Sequence, residues 1–384
     1  MDRNLYDITA RSPDTLFTPL QLGPMKLKHR VIMAPLTRSR SVQPDSVPGL
    51  LMREYYEQRA SEGGLIISEA TNISLASRGW LGAPGLYSDD QVEGWKRIVV
   101  AVHDKGGKIF AQLWHTGRSS HITLTGGATP VSASVDHMYW TNPSHLVSIP
   151  GGWVQPSAHR AVAVNEIPGL VADYRRAAER AMDAGFDGVE LHGANGYLID
   201  QFLQDGSNKR DDQYGGSVQN RVRLLVEVTA ALQSVWGPGR FGVRISPYGT
   251  WNGMSDGNPR ALLSGVATEL NKFPLAYLHL IEPRIGGSEL VHQDQGPVAS
   301  EELRPLFKGR LIAAGGFEPE TAESAVAGGI VDAVAFGRHF VSNPDLPHRI
   351  RERLPLAAYD RKTFYTFAAT GYTDQPAYDA KLRT

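Results

Sequence analysis

Short apolar or β-branched runs recur along the chain, and between them lie longer segments in which apolar residues return every three or four positions. A run of four or five such residues bounded by polar turns reads as a strand buried on both faces; the three-to-four spacing reads as an amphipathic helix. Eight runs fit the first description, at residues 31–34, 65–69, 109–113, 189–192, 242–246, 277–281, 311–314 and 333–337. The helical segments carry their own punctuation. Ile167, Leu170, Val171, Tyr174, Ala178, Ala181 and Met182 form one stripe, which Gly185 ends, and Val222, Leu225, Val226, Thr229 and Leu232 form another. Near Glu318-Pro319-Glu320 the proline suits a first helical turn and the carboxylates oppose its positive end, with Gly328-Gly329 as the stop. Strand and helix alternating eight times predict an α/β chain closed into a parallel (β/α)8 TIM barrel.

Two stretches interrupt the alternation. Leu16-Phe17-Thr18-Pro19 and Leu22-Gly23-Pro24 predict a short N-terminal hairpin that plugs one end of the barrel. Residues 118–161, after the third strand, are rich in Gly, Pro, Ser and aromatic residues and too long for a plain βα loop. They read as a lid or small capping subdomain over the opposite end, or equally as a plain surface excursion.

Composition narrows the function classes. A chain of 384 residues suits one elaborated barrel or two ordinary domains, and the eight-unit count selects one domain over residues 1–384. With 39 basic against 40 acidic side chains there is no global field to attract nucleic acid or an anionic membrane, so a small-molecule protein is expected. The absence of cysteine excludes disulfides, thiolate nucleophiles, iron–sulfur clusters and Cys-type zinc sites. The N-terminal residues Met1 to Asp7 are charged and no apolar run is long enough to cross a bilayer, so a cytoplasmic setting is expected.

In such barrels chemistry gathers where the strands end at their carboxyl side. The fourth run leads into His192-Gly-Ala-Asn195-Gly-Tyr197, an imidazole, a carboxamide and a phenol within six residues. Read alone, such a segment is more often a polar turn or a satisfied histidine than a catalytic site. The first strand ends in Pro35-Leu-Thr37-Arg38 and the third in Gln112-Leu-Trp114-His115, while the fifth carries Arg244. Gly315-Gly316 follows the seventh and Gly337-Arg338 the eighth, where barrels commonly bind phosphate on backbone N–H groups. A phosphate-bearing flat heterocycle flanked by Arg244, Gln112 and Thr37 suits flavin mononucleotide, FMN. No GxGxxG follows the first strand, which disfavours a dinucleotide held in the Rossmann manner.

These residues sit within longer motifs. Met33-Ala-Pro-Leu-Thr-Arg38, Ser68-Glu-Ala-Thr71, Ala111-Gln-Leu-Trp-His-Thr-Gly-Arg118, Val189 through Tyr197, Asp211-Asp-Gln-Tyr-Gly-Gly216, Ala335-Phe-Gly-Arg338 and Gly371-Tyr-Thr-Asp374 run in order along nearly the whole chain. In them the chain resembles the old yellow enzyme family of FMN-dependent ene reductases. The resemblance implies that Pro35, Thr37, Ala70, Gln112 and Arg244 line the flavin ring, with Thr37 near O4 and Arg244 near N1 and O2. It implies a phosphate cradle of Gly315, Gly316, Gly337 and Arg338. His192 and Asn195 resemble the pair that grips a substrate carbonyl, Tyr197 the proton donor, and Trp114, Trp251 and Tyr365 the walls of the substrate space. Threonine at position 37 in a cysteine-free chain resembles the branch of the yeast, plant and enterobacterial enzymes.

The implied activity is NAD(P)H-dependent reduction of a C=C bond conjugated to a carbonyl or nitro group, with FMN passing hydride from N5 to the alkene and Tyr197 protonating the other carbon. Small activated alkenes are the expected partners, and a monomer or homodimer the expected state. A flavin-binding sensor or storage protein without enone turnover is the alternative. Metal-assisted or Schiff-base chemistry is disfavoured: no lysine lies inside a strand end, Lys209 standing beyond the fourth, and His115, His192 and His279 lack a ligand spacing. No metal is expected. Substrate choice is expected to depend on residues 118–161 and 283–297.

Overall fold

The computed structural model describes residues 14–286, 289–290 and 298–378. Eight parallel strands form its centre: β1 (Val31–Met33), β2 (Leu65–Ile67), β3 (Lys108–Trp114), β4 (Gly188–Gly193), β5 (Phe241–Ile245), β6 (Tyr277–Ile281), β7 (Leu311–Ala314) and β8 (Ala333–Phe336). Each pairs with its successor, and β8 pairs back onto β1, so the sheet closes. Closure removes every free edge, and both faces of each strand are then buried, which is why the strands read as near-continuous apolar runs.

Alternation along the strands sorts two cores. Val31 and Met33 join the large outer cluster between barrel and helices, whereas Ile32 and Ala34 join an inner cluster with Leu65, Ile67, Phe110, Tyr277 and Ile312. Phe110 and Tyr277 stack with centroids 5.7 Å apart. Their rings fit because neighbouring strands carry glycine: a Cβ on Gly188 would stand 2.4 Å from the Phe110 ring and one on Gly242 2.5 Å from the Tyr277 ring. The hairpin of Leu20–Leu22 and Met25–Leu27 adds Leu20, Leu22, Met25 and Leu27 to the inner cluster and so plugs the barrel. It begins later than expected, since Thr15–Phe17 forms a 3-10 turn before it.

The outer helices follow the predicted stripes with one exception. Helix Ile167–Asp183 buries Ile167, Tyr174, Ala177, Ala178 and Ala181, but Met182 is exposed. Ala181 holds the inward face in the last turn, and the next residue is rotated by about 100°. Four strands also stop short of their expected ends: Ala34, Ser68, Glu69, Ser246 and Gly337 lie beyond the strands and start the loops.

Residues 118–161 contain the helix His137–Thr141 and the hairpin of Val147–Ile149 and Gly152–Val154. Arg118 fastens this excursion, with Nη1 on Asp136 at 2.9 Å, Nη2 on the Asn252 carbonyl at 3.1 Å and its guanidinium 4.1 Å from the Tyr139 ring. Of the predicted 283–297 loop, residues 287–288 and 291–297 lie outside the described residues. Among the described residues no helix is long and apolar enough to cross a membrane.

Candidate active site

A cavity of about 800 Å³ opens at the carboxyl ends of the strands, and every predicted site residue lines it. Pro35 and Thr37 come from the end of β1, Ala70 from beyond β2, Gln112 and Trp114 from β3, His192 from β4 and Arg244 from β5. Gly315, Gly316, Gly337 and Arg338 close the side formed by β7 and β8, while Asn195, Tyr197, Trp251 and Tyr365 stand around the mouth.

The turn after β4 is held on all sides. Asn195 has φ 57° and Gly196 φ 71°, left-handed values that asparagine and glycine adopt more readily than other residues. The Asn195 N–H donates to Ser246 Oγ at 2.8 Å, and the Asn195 carbonyl accepts from Asn252 Nδ2 at 2.9 Å. Gly196 donates to Asp200 Oδ2 at 2.8 Å and its carbonyl accepts from Gln201 Nε2 at 2.7 Å. With the backbone so fully engaged, the Asn195 carboxamide is left to the cavity.

His192 is buried, and burial, followed by the nearby Arg244 charge, holds its pKa well below the ordinary value. The ring is therefore neutral. Its Nδ1 accepts the Ala194 N–H at 3.3 Å, which leaves Nε2 to carry the proton as a donor. Tyr197 stands edge-on to both neighbours, its centroid 4.8 Å from Trp114 and 5.1 Å from His192. Burial raises its pKa, with the Tyr365 and Tyr139 hydroxyls adding to the effect, and Asn252 and Trp80 oppose it through hydrogen bonds. The phenol stays protonated at neutral pH.

Beside them the lining suits an acceptor-rich ligand. Arg244 is buried, its pKa lowered to about 10 by burial, with Glu190 opposing, so it keeps its charge at neutral pH. Among the described residues its Nε and the indole Nε1 of Trp114 have no hydrogen-bond partner. Such orphaned buried donors are costly unless a ligand engages them. At the end of β7, Gly315 has φ 108°, and a Cβ there would press on the Glu282 backbone at 3.1 Å. A Cβ on Gly337 would meet Leu36 at the same distance. Any larger residue would disturb this wall, and Arg338 flanks it with Nη1 donating to the Tyr359 hydroxyl at 3.2 Å.

Some lining residues carry no signal in the sequence. Trp80 and Trp153 of the excursion's hairpin meet the predicted Tyr365 of the C-terminal segment, with the Trp153 and Tyr365 centroids 5.1 and 5.3 Å from the Trp80 ring. Ser144, His145 and Leu146 of the excursion and Phe364 and Tyr359 of the C-terminal segment also line the cavity. Nothing local marks these residues, since each is an ordinary aromatic or loop residue until the fold assembles them. His115 plays no part in the lining: it is buried, Nδ1 accepts the Gly117 N–H at 3.0 Å, and burial lowers its pKa to about 3.

The family described as NADH:flavin oxidoreductase / NADH oxidase matches residues 15–357 of the chain. 12-Oxophytodienoate reductase 2 of Arabidopsis thaliana is 42% identical over 397 residues, covering 98% of this chain and 99% of that protein. Among solved structures, morphinone reductase in complex with tetrahydroNAD superposes with a TM-score of 0.88 at 47% identity, covering 95% of this chain and 98% of the other. An old yellow enzyme homologue from Zymomonas mobilis gives 0.88 at 44% identity, covering 94% and 99%.

Proposed function

Because the chain belongs to the NADH:flavin oxidoreductase / NADH oxidase family, that of the old yellow enzymes, we propose that its cavity holds FMN and reduces the C=C bond of α,β-unsaturated carbonyl compounds at the expense of NAD(P)H. The observation that carries the residue assignment is the convergence of a neutral imidazole donor, a carboxamide and a protonated phenol on one cavity whose lining also bears a guanidinium nitrogen with no partner among the described residues.

The residues fit the cofactor. Arg244 and Gln112 would hold the polar edge of the ring, Thr37, Pro35 and Ala70 would line it, and Gly315, Gly316, Gly337 and Arg338 would take the phosphate. When bound, FMN supplies the redox chemistry, taking hydride from NAD(P)H and giving it to the alkene. The chain's own work lies with the substrate. His192 Nε2–H and the Asn195 carboxamide donate to the carbonyl oxygen, where negative charge grows as the β-carbon is reduced. Trp114, Trp251 and Tyr365 wall the substrate space. Tyr197 delivers its phenolic proton to the α-carbon, and its depressed acidity matches a carbanion-like acceptor. We place the working protein in the cytoplasm, as a monomer or homodimer acting on small activated alkenes; the balanced charge supports a small-molecule role.

The test is stopped-flow kinetics on FMN-loaded protein with NADPH, NADH and a panel of enones and nitroalkenes. Flavin reduction by a nucleotide and reoxidation by 2-cyclohexenone are expected. A protein that binds no FMN, or binds it and is not reoxidised by any alkene, refutes the reading. In the same experiment Tyr197→Phe is expected to slow product formation by about 10²-fold or more while leaving FMN reduction near the wild-type rate. Because His192 is already neutral, kcat/KM for the alkene is expected to be flat from pH 6 to 8.5. A titration near the ordinary histidine value that vanishes in His192→Ala would show an imidazolium donor instead.

A further inference from the structure

Under the cavity lies a set of buried polar groups to which the reaction above gives no task. Glu190 of β4 is fully buried, one position level with Gln112 of β3 and with Gly242 of β5. Its Oε1 accepts Gln112 Nε2–H at 2.7 Å, and its Oε2 accepts His279 Nδ1–H at 2.8 Å. His279 belongs to β6, two strands away, and the carboxylate reaches it across β5, which carries only a glycine at that level. Burial, opposed by Glu190 and reinforced by Arg244, keeps the His279 pKa low, so the ring is a neutral donor, and among the described residues its Nε2 has no partner. Arg244 is the cation close enough to feel Glu190, which opposes the lowering of its pKa. Tyr277, also of β6, is the other titratable group against the carboxylate.

A buried carboxylate held by neutral donors is an expensive way to fill a barrel, since apolar side chains of equal volume serve stability as well or better. Its geometry has a specific consequence. A carboxylate only accepts hydrogen bonds, so the Gln112 amide must turn its NH2 into the wall, and Oε1 becomes the atom available to the cavity that Gln112 lines. Its charge also stands behind that of Arg244, the buried cation of the same wall.

We propose that Glu190 is a positioning residue for the flavin: it orients the Gln112 carboxamide as an acceptor toward the ring and offsets the Arg244 charge, so that it sets both the affinity for FMN and the reduction potential of the bound cofactor. The proposal rests on the reading of the cavity as an FMN site. Two substitutions separate its two parts. Glu190→Gln removes the charge and keeps hydrogen-bonding atoms in place. Glu190→Asp keeps the charge and withdraws the carboxylate by one methylene from Gln112.

The experiment is anaerobic potentiometric titration at pH 7, with FMN affinity measured by fluorescence on the apoprotein and thermal melting as a check of folding. Loss of the negative charge favours the reduced cofactor, which carries more negative charge than the oxidised one. Glu190→Gln is expected to raise the two-electron equilibrium toward reduction at least tenfold, a shift of about +30 mV, with displaced visible absorption bands. Glu190→Asp is expected to keep a potential close to that of the wild type while its FMN dissociation constant rises about tenfold. A merely structural glutamate would change melting and leave potential and spectrum alone. A folded Glu190→Gln protein with wild-type potential and spectrum overturns the charge effect, and Glu190→Asp with wild-type FMN affinity overturns the orienting role. If Glu190→Gln does not fold, Glu190→Asp tests the orienting role and Glu190→Ala, which also removes the charge, tests the charge effect, with the same rise in potential expected and a wild-type potential overturning it. Wild-type protein that binds no FMN is a different result and overturns the cofactor assignment itself.

Discussion

Replacing either His192 or Asn195 by alanine is expected to lower kcat for enone reduction by about 10²–10³, the usual cost of one preorganised donor to a developing oxyanion. The expectation comes from how little each donor has to reorganise. His192 is neutral before substrate arrives, and its Nδ1 is already committed to Ala194, so Nε2–H is the single donor it offers. The Asn195 backbone is fixed by Ser246 and Asn252 in a left-handed turn, while its carboxamide is free to meet a ligand. Neither group spends binding energy on finding its geometry. The double variant is expected to lose at least 10³ in the rate of flavin reoxidation by 2-cyclohexenone at saturation, and to bind phenols, which mimic the oxyanion, more weakly. Stopped-flow reoxidation measures the first and flavin absorbance changes the second. Reoxidation within threefold of wild type in the double variant would remove the pair from the mechanism.

Arg38→Ala is expected to destabilise the fold by about 3–5 kcal/mol, the cost of taking one partner from a buried charged set. The guanidinium is almost fully buried. Its Nε donates to the Phe364 carbonyl at 3.1 Å, Nη1 to the Tyr55 hydroxyl at 3.1 Å and Nη2 to the Gly371 carbonyl at 2.8 Å. Alanine would strand the Gly371 carbonyl, leave the Phe364 carbonyl to Arg40 alone and leave Glu69 with less compensating charge. Burial already raises Glu69 to about 7, with Arg38 and Arg40 opposing. A carboxyl with a raised folded pKa contributes stability that is complete below its unfolded value near 4.5 and is lost as pH rises through the folded value. Removing Arg38 raises that value further, so the deficit of Arg38→Ala is expected to be larger at pH 8 than at pH 5. Urea unfolding at both pH values measures this, and equal deficits would show that Arg38 acts through the carbonyls alone. The segment that Arg38 ties down carries Phe364 and Tyr365 into the cavity, so a raised KM for bulky enones is expected as well.

Comparison of the chain with its fold shows which physical signals are local. The eight strands were readable because closure buries both their faces and leaves runs of apolar residues, and the helices because one stripe of each faces the barrel. Met182, in the predicted stripe, is exposed: apolar spacing alone cannot tell which of two adjacent residues in a last turn points inward. Leu16 and Phe17 are as apolar as strand residues yet form a 3-10 turn, so the hairpin starts later than apolar character alone predicts. For the site, strand order supplied the mouth, and residue chemistry at the strand ends supplied Thr37, Gln112, His192, Asn195, Tyr197, Arg244 and the paired glycines.

What stayed hidden depends on residues far apart in the chain. Arg59 donates to the Phe340 carbonyl 281 positions away, and Trp80 and Trp153 come from two separate segments to meet Tyr365. The tautomer of His192, the acidity of Tyr197 and the orientation of Gln112 follow from burial and from partners on other strands. Periodicity and turn chemistry act over a few residues, so the chain alone announces its barrel and which residue types face its mouth. Desolvation and hydrogen-bond partnership are properties of the assembled interior. Only the packed barrel therefore decides which of those groups is charged, which is free and which is held.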